Sequence, residues 1–293
     1  MTFIGHVIDG QESESASGAR FASVDPWTHR FADLIEANAD ALALAWGNTV
    51  VLKPAEDTPA SAALMASLAL AAGLPPGVFD DADLDNAVAW SIRAIFSNAG
   101  QVCLAGSRLY VQRGIYAEFT ERFVAAAKAL VAGDPKDETT QLGPLASEQH
   151  YRKVRSYLDG IEADGGTIRT GGLGDGWVVL PTVVENAPPA ARICREEVFG
   201  PVVTIAAFDD DEDAIRSAND TRYGLNAMVF TRDLSRAHRA SAALRAGTVW
   251  VNCFFVRDLR VPFGGVGDSG IGREGGTFSR EFFTEPKAVV MEV

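Results

Sequence analysis

Short runs of β-favouring residues alternate with stretches of helical periodicity along most of this chain, and that alternation confines it to an α/β fold. Strands are expected at Ser107–Gln112, Val178–Val184, Val202–Phe208, Asn226–Thr231 and Thr248–Asn252. Between them, Val88, Ile92, Ile95 and Phe96 recur at i, i+4, i+7 and i+8, which places them on one face of a helix over 86–97. Tyr116, Phe119, Phe123, Ala127 and Leu130 mark the next helix, and Tyr151, Val154, Leu158 and Ile161 another. Further helices are expected at Asp211–Asn219 and Leu234–Ala246, the last closed by Gly247. Nearer the start, Gly5–Ile8 reads as a strand, Phe31–Leu44 has helical composition, and Thr49–Leu52 followed by Pro59–Ala72 forms a β-α unit stopped by Gly73 and two prolines. The acidic run Asp80–Asp85 reads as a helix N-terminal signal, with negative charge on the positive end of the dipole, rather than as a metal site. The stretch Thr170–Gly176 reads as a glycine-rich connection.

The net charge of −13 excludes the electrostatic attraction that nucleic acid or an anionic membrane requires, so small molecules are the expected ligands. The three cysteines, Cys103, Cys194 and Cys253, stand at wide spacings that fit neither a disulfide framework nor a zinc knuckle, which suits a reducing cytoplasm. MTFIGHVIDG lacks the pattern of a signal peptide, and the run Pro59–Ala72 is too short and weakly apolar to span a bilayer.

Cys103 is the candidate reactive group. It lies in FSNAGQVCLAGSRLYVQ at a helix-to-strand junction, where Gly100, Ala105 and Gly106 leave room for an incoming carbonyl and for backbone N–H groups to hold an oxyanion. The competing reading is a buried, inert thiol. Glu196 and Glu197 precede Phe199-Gly200-Pro201 at a strand entrance, where a carboxylate can meet ligand hydroxyls, the alternative being a solvated acidic turn. Lys53 and Glu56 follow a strand, at the end where α/β sheets bind ligands. His6, His29, His150 and His238 are scattered and form no Cys-His pair or metal helix, so none takes a site role. The segment PFGGVGDSGIGREGG matches the dinucleotide fingerprint G-x-G-x-x-G twice, but the fingerprint needs a βαβ unit of about 30 residues, whereas the sequence ends at Val293 and no apolar-periodic helix follows, so the match carries no weight.

Taken together, GNTVVLKPAEDTP, AGLPPGVF, DADLDNAV, GQVCLAGSR, EEVFGPVV and PFGG resemble, in that order, the NAD(P)-dependent aldehyde dehydrogenase superfamily. The ending NCFFVRDLRVPFGGVGDSGIGREGG is most similar to the branch that oxidises 2-hydroxymuconic semialdehyde and its carboxymethyl relatives in aromatic catabolism. The resemblance implies residues 1–80 as the remnant of an NAD-binding domain, 81–277 as an α/β catalytic domain and 278–293 as a C-terminal oligomerisation strand. It implies Cys103 as the thiolate that adds to the aldehyde. It places Lys53 and Glu56 at the adenine ribose, with the Glu56 carboxylate favouring NAD over NADP, and Glu197 and Phe199 at the nicotinamide ribose and ring. Arg257, with Arg260 as the alternative, is placed to meet the carboxylate of a semialdehyde acid, a surface salt bridge being the competing role for both.

The chain departs from the family's pattern at three points: after His29, between Ala45 and Gly47, and around Phe79 and Asp80. By the same resemblance, these remove the P-W-N segment with its oxyanion-hole Asn, the oligomerisation hairpin, the G-S-T-x-x-G turn for the pyrophosphate, and the E-L-G-G segment with the general base. Pro26-Trp27-Thr28 does not replace the first, and no E-L-G-G occurs anywhere. Losing one oxyanion donor costs about 100- to 1000-fold and a general base about 100- to 10,000-fold. Three functions therefore stand: an NAD-linked aldehyde dehydrogenase, a non-catalytic remnant of that family, and a cofactor-independent thiol esterase working through Cys103.

Overall fold

The computed structural model describes residues 81–292 continuously, together with five short strands before them. Apart from Phe31, the expected helices at 31–44 and 59–72 and strand at 49–52, with Lys53 and Glu56, lie outside the described residues. The early strands form two small antiparallel ribbons, β1 (His6–Ile8) with β2 (Gln11–Ser13) and β3 (Val24–Asp25) with β4 (Arg30–Phe31). The main body then runs β5 (Pro76–Val78), α1 (Leu84–Phe96), β6 (Arg108–Gln112), α2 (Tyr116–Lys128), α3 (Glu148–Leu158), β7 (Thr167–Leu173) and β8 (Val179–Glu185). It continues through α4 (Arg192–Arg195), β9 (Val202–Phe208), α5 (Asp211–Asn219), β10 (Asn226–Phe230), α6 (Leu234–Ala243), β11 (Thr248–Val251) and α7 (Gly276–Phe283).

Seven of these strands make one sheet in the order β11-β10-β5-β6-β9-β8-β7. Every pairing is parallel except β7 against β8. A parallel sheet must be covered on both faces, because its crossovers lie there, and its central strands read as unbroken apolar runs. The sequence obeys this: all five residues of β10, NAMVF, are buried. One face carries α1 and α2, whose Ile95, Phe96, Phe119 and Phe123 pack with Leu109, Val203, Ile205 and Met228. A second cluster joins Ala214 of α5 and Ala240 of α6 to Phe208 and Val229. The third, built on Val154, Tyr157 and Leu158 of α3, closes over Val179 and Val184.

β5 holds the centre of the sheet with only three residues, pairing Pro76 with Met228 on one side and Gly77 with Tyr110 on the other. Proline is tolerated because it stands first in the strand. Directly after it, Asp81 ties the chain to the β10 end: its carboxylate accepts from Thr231 Oγ1 (2.6 Å), the Arg232 amide (3.0 Å), the Asp233 amide (2.8 Å) and Arg236 Nη1 (3.1 Å). Asp83 caps α1 by accepting from the Asn86 amide at 3.1 Å, so the acidic run does start a helix.

Three expectations need correction. The glycine-rich stretch at 170–176 is not a simple connection, because Thr170–Leu173 completes edge strand β7 with register shifts at Thr170 and Gly172. Gly171 sits there at φ +95°, where a Cβ would stand 2.4 Å from the Pro181 carbonyl, so the glycine makes the bulge possible rather than ending the strand. α6 stops at Ala243, not Ala246, and Gly247 is not its cap. Gly247 instead lets the chain pass the Gly264 carbonyl, which a Cβ would meet at 1.6 Å. Finally, a helix follows the glycine-rich loop where none was expected: α7 covers Gly276–Phe283, and residues 284–292 pair with no backbone among the described residues of this chain. The dinucleotide match still fails for want of a preceding strand: Phe263 pairs antiparallel with Glu274 within the loop.

Candidate active site

Below α1 the chain turns sharply through Asn98 (φ 50°), Ala99 (φ 52°) and Gly100 (φ 68°), three successive left-handed residues. Asn98 suits that region and closes the turn, its Nδ2 donating to the Gln101 carbonyl at 3.1 Å and its own carbonyl accepting the Gln101 amide at 3.0 Å. Ala99 costs about 1 kcal/mol there and is buried. Gly100 has a second constraint: a Cβ would lie 2.2 Å from the Gly200 carbonyl. The cysteine loop and the EEVFGPVV segment are therefore in backbone contact, fixed by two glycines far apart in the chain. Gln101 adds a third anchor, its Oε1 accepting from the Ala146 amide at 2.8 Å.

The Cys103 residue is exposed, in contrast to the half-buried Cys194 and Cys253. Protein atoms nonetheless crowd its sulfur, and this desolvation pushes the thiol up from its ordinary range; its own backbone N–H offsets part of the effect, and the negative charges of Glu197 and Glu274 add to it. Below its raised pKa the thiol is protonated, so at neutral pH Cys103 needs a proton acceptor or a bound partner to attack.

Cys103, Val102, Gly100, Glu197, Phe199 and Gly200 line one open cavity of about 110 Å³. Phe199 has φ 62°, an uncommon value for an aromatic residue. His150 holds it there: Nε2 lies 2.7 Å from the Phe199 carbonyl, and because a carbonyl only accepts, that nitrogen carries the proton. The His150 ring also meets the Phe199 ring edge-on at 6.0 Å. Glu196 departs from the solvated-turn reading: it accepts from Tyr157 Oη at 2.8 Å and pairs with Arg192, whose guanidinium holds its carboxyl below the usual range. Glu197, by contrast, makes a single hydrogen bond among the described residues, its backbone carbonyl accepting from Lys153 Nζ at 2.8 Å.

The structure thus brings Cys103, Glu197 and Phe199 together. Arg257 and Arg260 stand outside the cavity lining. Arg257 stacks over Phe263, 4.4 Å from the ring centre, and donates to Glu274 at 2.5 Å, with its Nε buried and unpaired among the described residues. Arg260 is exposed and its fork is taken by Asp258. His150 and Gln101 carry the site's support, and the sequence did not mark them, since each acts through a contact made across the fold. Among the described residues no three His, Cys, Asp or Glu side chains gather as a metal site.

A left-handed turn sets an exposed cysteine against a Glu-x-Phe-Gly loop with Phe199 at positive φ, on a mostly parallel α/β sheet. The sequence profile of the Aldehyde dehydrogenase family matches residues 21–80 and 77–289, and the chain belongs to that family. It is 39% identical to 2-hydroxymuconic semialdehyde dehydrogenase of Pseudomonas sp. (strain CF600), an alignment covering 86% of this chain and 66% of the relative. It is 37% identical to betaine aldehyde dehydrogenase of Cereibacter sphaeroides, over 85% of this chain and 64% of that one. Among solved structures, HpcC from Thermus thermophilus superposes with a TM-score of 0.71 at 39% identity, covering 75% of this chain and 47% of that chain. Betaine aldehyde dehydrogenase from Staphylococcus aureus, solved with NAD+, gives 0.69 at 40% identity, covering 72% and 44%. The chain thus spans about two thirds of the length of its curated relatives and less than half of these solved chains. The alignment with the Pseudomonas protein runs over 319 positions, more than the 293 residues of the chain, so that relative carries internal residues absent here.

Proposed function

We propose that this protein carries out NAD-linked oxidation of an aldehyde through Cys103, at a turnover reduced by the missing segments. The observation that carries the reading is the shared cavity of Cys103, Glu197 and Phe199. In this reading the Cys103 sulfur adds to the aldehyde carbon, and its own backbone N–H steadies the oxygen of the resulting thiohemiacetal. Bound NAD would supply the hydride acceptor that turns this adduct into a thioester.

The residues present fit the nicotinamide end of that cofactor. Glu197 is an acceptor-only group suited to ribose hydroxyls, and Phe199 is held rigidly by His150 as a wall for the ring. A cavity of about 110 Å³ takes a ring-sized fragment, well below the 300–1,000 Å³ of a full ligand pocket. The adenosine end falls to Lys53 and Glu56. A semialdehyde acid is the substrate class we favour; the likeness to a semialdehyde dehydrogenase supports it, as does the Nε of Arg257, which has no partner among the described residues. Arg260, already committed to Asp258, is the weaker choice for that role. A soluble cytoplasmic setting suits this chemistry, as does a homo-oligomer built without the arm hairpin.

A second reading, an inactive remnant, is favoured by the raised thiol pKa and by the internal residues that the relatives have and this chain lacks. Aldehyde-dependent NADH formation at saturating NAD separates the two. Activity that disappears in Cys103→Ser supports the oxidation; no activity in the native protein, or full activity in the variant, rejects it. Ester hydrolysis without NAD, lost in the same variant, would instead single out the thiol esterase.

A further inference from the structure

Two carboxylates act on Cys103, those of Glu197 and Glu274, and the structure treats them differently. Glu274 is pinned: Arg257 donates to it at 2.5 Å, and its backbone exchanges two hydrogen bonds of 2.7 Å with Phe263. Glu197 is the reverse case. Lys153 fixes its backbone carbonyl, the next residue Val198 is buried, and Gly200 is locked against Gly100, while its carboxylate has no hydrogen-bond or ion-pair partner among the described residues. An exposed carboxylate on a rigid loop, in the cavity that holds a nucleophile, has the placement of a general base.

We propose that Glu197 activates the water that releases an acyl group from Cys103, taking over the base role that the E-L-G-G segment fills elsewhere in the family. The inference rests on the reading of Cys103 as the nucleophile. The Glu197 carboxylate takes one proton from water as the water oxygen bonds to the thioester carbon, and the carbonyl electron pair moves onto oxygen. When that pair returns, the C–S bond breaks, the carboxylic acid leaves, and the sulfur takes back the proton that Glu197 held. Thioester and water become thiol and acid, with no oxidant required. Arg257 excludes Glu274 from the same task, because its guanidinium already occupies that carboxylate.

The test uses the full chain and p-nitrophenyl acetate without NAD, so it does not depend on cofactor binding. The burst of nitrophenolate reports acylation, and decay of acetylated Cys103, followed by intact mass, reports deacylation. Glu197→Gln is expected to slow deacylation by about 100-fold or more while the burst persists. Glu274→Gln removes a comparable charge near the thiol but no base, and is expected to leave deacylation within a few-fold. Formate is expected to restore part of the deacylation rate of Glu197→Ala, which a purely structural loss would not allow. Deacylation unchanged in Glu197→Gln, or slowed equally in Glu274→Gln, overturns the base assignment and leaves the nucleophile standing. Absence of a burst in the native protein overturns both.

Discussion

Cys103 shows how far a single residue's chemistry is set by neighbours that the sequence does not reveal. Its motif predicted an approachable thiol, and the residue is exposed. The motif did not predict that desolvation and two carboxylates, Glu197 and Glu274, push that thiol above its ordinary range. Both carboxylates are remote from Cys103 along the chain, and only the folded sheet brings them near. The sign of the consequence is fixed: a raised pKa leaves less thiolate at neutral pH, and removing either negative charge lowers it. The rate of Cys103 alkylation by iodoacetamide is therefore expected to rise with pH to a midpoint above about 8.5, the value of a free thiol. Glu197→Gln and Glu274→Gln should each shift that midpoint downward. A native midpoint at or below the free-thiol value would contradict the account.

Among the elements, the long periodic helices and the apolar strands were legible because burial on one face, or on both, leaves its mark on the local pattern. β9 and α5 appear with the expected bounds, and β6, β8, β10, β11, α1 and α2 within a residue or two at the paired ends that matter. What stayed hidden depends on distant backbone: the bulged edge of β7, the early end of α6, and Gly247 as a point of close approach to Gly264 rather than a helix stop. Asp81 belongs to this group. It reads as part of a helix-start run, yet it accepts four hydrogen bonds from the β10–α6 corner and joins β5 to it. Burial alone would raise its pKa, but the Thr231, Asp233 and Arg236 hydrogen bonds outweigh that and hold it below the usual carboxylate value. A depressed folded pKa contributes stability that is present above the unfolded value, near about 3.9, and is lost as pH falls through the folded one. Asp81→Asn is expected to cost about 1–2 kcal/mol in urea unfolding at pH 7, with the cost shrinking below about pH 4. A cost independent of pH across that range would show that the charge is not what anchors the corner.

For the whole molecule, the family match falls in two stretches, 21–80 and 77–289, which meet near β5. That strand sits mid-sheet between β6 and β10. The sheet runs without a break through β5 to β6, the strand that follows the Cys103 loop. The cofactor half is a different matter. Pyrophosphate binding relies on a glycine-rich turn at a helix N-terminus, and by resemblance that turn belongs to the residues this chain lacks. On the function proposed above, the nucleophile keeps its setting while the cofactor has lost its principal anchor. Calorimetric titration of NAD into the purified protein, its intact mass confirmed, tests this most directly. A dissociation constant in the millimolar range or weaker, equivalent to about −4 kcal/mol, is the predicted result; micromolar binding would contradict it.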